Sequence, residues 1–209
     1  MLNKEDVSKY REQSRRAFEQ RASTYDSSSM GRQARSIHPR VLEKLEQLEF
    51  DTILDVGCGT GTLLSLIRSK NSNATISGID ISPEMIKVAK GKLGEKADLR
   101  VGDSEELPWT ESSFDVALST QSFHHYPNPG KVLAEMKRVL KPNGHLIIAD
   151  IWSPTPVRQI MNLLMRFDKG GDVRVYSEKE ICHLVEGSGF KSIEWGVINS
   201  EAFILSAIK

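Results

Sequence analysis

Three glycines at alternate positions, Gly57, Gly59 and Gly61 of "DVGCGTG", follow an acid, Asp55, where an apolar run gives way to a helical pattern. A plain strand-to-helix turn needs one such residue, whereas three let a ligand lie against bare backbone. A dinucleotide fingerprint GxGxxG would place a glycine where Thr62 stands, so the pyrophosphate reading weakens and a tight GxGxG turn remains. Asp80 closes "SGID" 19 residues after Gly61. An acid there can accept two hydrogen bonds from a ribose diol. Asp103, in "GDSEELPWTESSFD", can accept from an exocyclic amine while the Ser104 N–H faces a ring nitrogen. His124 and His125 of "QSFHHYP" titrate in the range useful to a general base. Each feature also has a plain use: a turn, a helix cap, a turn acid, a pair that shapes a pocket. Their joint placement gives the ribose role to Asp80.

That placement depends on the elements between them. From residue 51, short apolar runs alternate with amphipathic helices. "TILDV", "ATISGID", "ADLRVGD", "FDVALST" and "HLIIADI" read as strands, and "GTLLSLIRS", "SPEMIKVAKGKL" and "NPGKVLAEMKRVLKPNG" as helices. Ser82 caps the second helix with Pro83 at its first position, and Pro142 and Gly144 stop the third. Strands apolar on both faces, alternating with helices, imply a parallel sheet covered on both sides, with ligands at its carboxyl edge. "SEKEICHLVEGSG" opens on a capping box, Ser177 with Glu180, and "FKSIEWGVI" and "SEAFILSAI" follow as an antiparallel pair. Upstream, residues 3–22 read as a helix capped by Asn3, "STYDSSSMG" as a mobile loop, and Pro39 to Leu48 as a second helix. The insertion "TPVRQIMNLLMRFDKGGDVRVY" carries an apolar stripe of Val157, Ile160, Met161, Leu164 and Phe167. It is either another core-covering helix or a cap over a pocket, hinged at Gly170-Gly171.

Lys plus Arg and Asp plus Glu both number 28, so the net charge is +0 and no dominant polyanion-binding face is expected. The N-terminus lacks an apolar signal segment, and no run approaches the ~20 residues of a membrane span. Cys58 and Cys182 are far apart, form no CxxC pair and argue for reduced thiols, a cytoplasmic location and no metal site.

From about residue 17 onward, "DVGCGTG", "GIDISPEM", "GDSEELPW", "SSFDVALS", "FHHY" and "RVLKPNGHLIIAD" occur in an order and spacing that resembles the class I S-adenosylmethionine-dependent methyltransferases. The nearest likeness is the small-molecule group, type 11 domains, that includes the ubiquinone and menaquinone C-methyltransferases. The resemblance implies an α/β, Rossmann-like three-layer sandwich, its seven-stranded sheet ordered 3-2-1-4-5-7-6 with strand 7 antiparallel. It implies one methyltransferase domain over residues 1–209: a helical lid (1–50), a cofactor-binding core (51–151), a substrate cap (152–176) and a C-terminal helix and hairpin (177–209). S-adenosylmethionine would be the cofactor and S-adenosylhomocysteine the product. Asp55 and Gly57, Gly59 and Gly61 would underlie its methionine portion, with Gln121 beside it and Tyr25 near its carboxylate. Asp80 would hold the ribose, Ile81 and Met85 one adenine face, and Asp103 and Ser104 the adenine edge. His124 and His125 would stand near the methyl group as candidate catalytic residues. The expected reaction is in-line methyl transfer to a small-molecule acceptor.

Other readings stay open at this level. A nicotinamide-dependent reductase is opposed by Thr62 and by the lack of a Tyr-x-x-x-Lys dyad. A nucleic-acid methyltransferase is opposed by the loop Ser119-Thr120-Gln121-Ser122-Phe123, which lacks an Asn/Asp-Pro-Pro-Tyr/Phe motif. A protein methyltransferase, or a regulatory protein that binds the cofactor without turnover, fits the same motifs. The sequence specifies neither the acceptor nor whether the chain is a monomer or a homodimer.

Overall fold

Neighbouring residues of the central strands bury opposite faces, and the sheet is therefore covered twice. The computed structural model describes residues 4–165 and 170–209. Its strands are β1 (Thr52–Val56), β2 (Thr75–Asp80), β3 (Ala97–Val101), β4 (Phe114–Thr120), β5 (Leu140–Ile151), β6 (Lys191–Asn199) and β7 (Ala202–Ile208). They form one sheet in the order β3-β2-β1-β4-β5-β7-β6. The first five are mutually parallel, and β7 runs antiparallel to both β5 and β6.

Ile53, Val116, Leu118, Ile147 and Ala149 face one apolar layer with α3 (His38–Leu45), α4 (Thr62–Lys70) and α5 (Pro83–Leu93). Leu54, Ala117, Leu146 and Ile148, one residue out of step, face the other with α6 (Pro129–Val139) and α8 (Glu178–Gly187). This alternation is the strand period of two with both faces apolar. Ser82 caps α5 by accepting from the Met85 N–H, and the Ser177–Glu180 capping box opens α8.

Several local expectations fail for identifiable reasons. "STYDSSSMG" is no loose loop: a 3₁₀ turn, Tyr25–Ser27, leads into α2 (Ser29–Ser36), whose N-cap Ser28 accepts from the Gly31 N–H. The Asp26 carboxylate ties this turn to Thr60 (2.7 Å), Thr62 (3.2 Å) and Lys92 (2.5 Å). Helix α6 passes directly into β5 at Leu140, so Pro142 and Gly144 lie within the strand rather than stopping the helix. In α7 (Val157–Leu164), Val157, Ile160, Leu163 and Leu164 are all exposed, which removes the core-covering reading. Asn3 and Phe167 lie outside the described residues. The N-terminal helix α1 (Lys4–Arg21) contacts α5 and the turn containing the histidines. A Cβ on Gly171 would stand 2.3 Å from Ser14 Oγ, so the second half of the proposed hinge is packed against α1.

Candidate functional site

The carboxyl ends of β1, β2, β4 and β5 converge, and each contributes a polar side chain: Asp55, Asp80, Gln121 and Asp150. The loop after β1 is held against β2 by the Gly57 and Cys58 N–H groups, which both donate to the Ile79 carbonyl. Tyr126 and Ser122 hydroxyls donate to the Val56 carbonyl at 2.9 and 3.1 Å, pinning the β4 loop to the same point.

The three glycines answer to different constraints. All have positive φ. A Cβ on Gly57 would strike Ser122 at 2.5 Å, and one on Gly61 would strike the Ala89 methyl at 2.9 Å. Only at Gly59 is there open space, and that residue lines the cavity over the loop. At Gly61 the packing of α4 on α5 is by itself a reason for glycine.

Two adjoining cavities share Phe18, Gly57, Asp80, Ser122 and His125. The first also receives Tyr25, Asp55, Met85 and Gln121, and the second Ile81, Asp103 and Ser104. All the residues expected at a cofactor except Gly61 therefore line these two adjoining cavities, with Met85 in the first and Ile81 in the second. Asp80 accepts from the Gly59 N–H and the Ser82 N–H, both at 2.9 Å, so it braces the glycine loop as well as facing the cavities. Asp103 is paired with Arg11 at 3.0 Å and accepts from the Glu105 N–H.

Besides Nδ1 of His38 and His125, two side-chain atoms of residues lining the first cavity are buried with no hydrogen-bond partner, Asp55 Oδ1 and Gln121 Nε2. One is an acceptor and one a donor, and native interiors rarely leave either unpaired. Burial, and then the charge of Asp80, pushes the Asp55 carboxyl well above the usual carboxylate range. Burial raises Asp80 too, against the pull of its two backbone donors. A buried and a half-buried carboxyl at adjacent strand ends make a cavity that favours a cation. Burial and the Asp80 charge likewise push the Tyr25 phenol up.

At the other end stand the histidines. His124 Nδ1 lies 2.6 Å from Asp150 Oδ1, and the His124 backbone N–H donates to Asp150 Oδ2 at 2.9 Å. Burial alone would depress this imidazole, but the Asp150 carboxylate holds its pKa above the ordinary value. Burial, then the neighbouring His124, pushes His125 well below it. The Phe18 ring meets His125 edge-on at 5.1 Å. Asp150 and Phe18 were not singled out in the sequence. The position of Asp150 at the carboxyl end of a parallel strand was a usable signal, whereas Phe18 read only as part of a helix face.

A family model described as a methyltransferase domain matches residues 49–191. The chain belongs to this family. The chain is 32% identical over 119 residues to a demethylmenaquinone methyltransferase of Thermotoga maritima, covering 57% of this chain and 52% of that protein. It is 27% identical over 194 residues to a malonyl-[acyl-carrier protein] O-methyltransferase of Geobacter sulfurreducens, covering 86% and 70%. Against several curated relatives it spans about half of their length, from 39% to 56%. The fold is shared with Haemonchus contortus phosphoethanolamine N-methyltransferase 2 in complex with S-adenosyl-L-methionine. That likeness has a TM-score of 0.74 at 15% identity, covering 92% of this chain and 60% of that one. The sheet order of this chain is the Rossmann-like one expected. Among the described residues no helix is long and apolar enough to cross a membrane.

Proposed function

We propose that the chain binds S-adenosylmethionine in the paired cavities and transfers its methyl group to a small-molecule acceptor, releasing S-adenosylhomocysteine. The single observation that carries this reading is the unpartnered pair in the first cavity. Asp55 Oδ1 seeks a donor and Gln121 Nε2 seeks an acceptor, and both are buried. An α-amino-acid head offers an ammonium and a carboxylate side by side, so it satisfies both. The buried carboxyl of Asp55 and the half-buried one of Asp80 favour a ligand carrying positive charge. When bound, S-adenosylmethionine supplies a methyl group already activated by its sulfonium.

What remains for the protein is binding, orientation and exclusion of water. Gly59 lets the methionine portion lie against the loop, with Asp55, Gly57, Gln121 and Tyr25 around it. Asp80 accepts from the ribose hydroxyls with the lone pairs its backbone donors leave free. Ile81 flanks the base, and Asp103 and Ser104 meet its edge, with Arg11 keeping Asp103 in place, while Met85 lines the cavity on the loop side. His124 and His125 border the acceptor end. His124, locked by Asp150, is oriented for a reacting group, and proximity carries the rest where the acceptor is already ionised. The division into an N-terminal lid (1–50), core (51–151), cap (152–176) and C-terminal unit (177–209) belongs to the same proposal. The direct meeting of α1 with the 170–176 segment, through Ser14 and Gly171, supports it. The sterol, demethylmenaquinone and acyl-carrier acceptors in the relatives' names support a small-molecule acceptor in place of a nucleic acid. Cys58 and Cys182 are free, which supports a cytoplasmic setting.

Native mass spectrometry of purified protein tests the cofactor. One retained or added equivalent of S-adenosylmethionine is expected, and no adduct at saturating ligand would remove the reading.

A further inference from the structure

The acceptor end contains a cluster that cofactor binding leaves unused. One ligating atom each from His124, His125 and Asp172 lies within 4.8 Å of the others. Asp172 Oδ1 stands 3.1 Å from His125 Nδ1 and 3.8 Å from His124 Nε2. Metal–ligand bonds of about 2.0–2.2 Å put adjacent donor atoms roughly 3–3.5 Å apart, so these separations already approach a shared coordination sphere.

We propose that His124, His125 and Asp172 bind a divalent transition-metal ion at the acceptor end of the cavity. Three observations support it. First, the Nδ1 of His124 is committed to Asp150, which turns Nε2 towards Asp172. A carboxylate behind an imidazole in this way is the usual support of a metal-bound histidine. Second, His125 Nδ1 is buried with no hydrogen-bond partner. It stands 3.1 Å from a carboxylate oxygen with no hydrogen bond between them, and with Nδ1 unprotonated the two lone pairs repel unless a cation lies between them. Third, His125 and Asp172 border an open cavity of about 560 Å³, which leaves coordination positions for water or acceptor.

Charge permits a dication. Asp150 and Asp172 offset it, while Arg21 on the cavity rim opposes it. Two imidazoles and a carboxylate suit Zn²⁺, Co²⁺, Ni²⁺, Fe²⁺ or Mn²⁺ better than Mg²⁺ or Ca²⁺. Neither cysteine belongs to this donor set, so the metal site is independent of the cysteine spacing that argued against one. A cation with open positions would select acceptors that present an oxygen: a hydroxyl, enol or phenol. That consequence rests on the methyl-transfer reading, whereas the metal site itself does not.

The test uses tag-free, chelator-stripped protein titrated with Co²⁺ and followed by its visible absorption. Zn²⁺ competition and an Mg²⁺ control complete it, and S-adenosylhomocysteine affinity is measured in parallel by calorimetry. Expected is one saturable Co²⁺ equivalent, displaced by Zn²⁺ and not by Mg²⁺. Asp172→Asn should weaken Co²⁺ at least about tenfold, and Asp150→Asn roughly 10- to 100-fold. Asp172→Asn should keep wild-type S-adenosylhomocysteine affinity, which also reports that it folds. No saturable Co²⁺ binding, or equal binding by wild type and Asp172→Asn, would overturn the site. Co²⁺ binding without any S-adenosylhomocysteine binding would leave the site standing and remove the methyl-transfer reading.

Discussion

Replacing Asp55 by Asn separates the two consequences of a buried, unpaired carboxyl. In the free protein Asp55 is 1% exposed, its Oδ1 has no partner, and burial and then the Asp80 charge raise its pKa. A group whose folded pKa is raised contributes stability below its unfolded pKa and loses it as pH rises through the folded value. At neutral pH the charge is therefore a burden on the free fold, and Asp55→Asn should unfold at a higher temperature than wild type. For a cationic ligand the sign reverses, because the amide cannot supply the charge. A charge-assisted hydrogen bond is worth about 1.5–3 kcal/mol, so affinity for S-adenosylhomocysteine should fall roughly 10- to 150-fold. Calorimetry at pH 7.5 with a thermal melt of each free protein measures both. Wild-type affinity should also decline as pH is lowered into the raised range of Asp55 and Asp80, while the variant's should change less. Unchanged affinity in Asp55→Asn, or a free variant less stable than wild type, would refute the assignment.

Gly59→Val should lose ligand binding, since its side chain enters the cavity, and should lower the melting temperature only by the strain of its positive φ. Gly61→Val should lower the melting temperature further, adding a clash with Ala89 and Leu93 to the same backbone strain, and comparative melts with calorimetry distinguish the two. Arg11→Gln removes the guanidinium from Asp103 and Glu105, and hydrogen exchange should show faster opening of α1 with the central strands unaffected. Ser177→Ala breaks the α8 capping box at a cost of about 1 kcal/mol, which for a chain of this size lowers the melting temperature by about 2–4 °C.

The fold was legible because its signals are local and mutually consistent. Apolar runs on both strand faces, caps at Ser82 and Ser177, and the short link between β6 and β7 each admitted one arrangement. The glycine loop was legible as a ligand contact, but the division of labour within it was not. That Gly57 clears Ser122 and Gly61 clears Ala89 depends on residues 28 to 65 positions away. Likewise, Asp103 read as a free acceptor because its partner Arg11 lies on a helix remote in sequence. The 3₁₀ turn at Tyr25–Ser27 was hidden by its polar composition, since Asp26 is fixed by Thr60, Thr62 and Lys92. The exposure of α7 was hidden for the opposite reason: an apolar stripe specifies a helix face but not what covers it.

The central claim is that this chain moves a methyl group from S-adenosylmethionine to a small molecule. Incubating the purified protein with methyl-labelled S-adenosylmethionine and a metabolite extract, then separating small molecules from macromolecules, tests it directly. The account predicts label in a discrete small-molecule product, formed together with S-adenosylhomocysteine and absent with Asp55→Asn at limiting cofactor. Label confined to protein or nucleic acid, or cofactor bound at one equivalent with no transfer to any fraction, would contradict it.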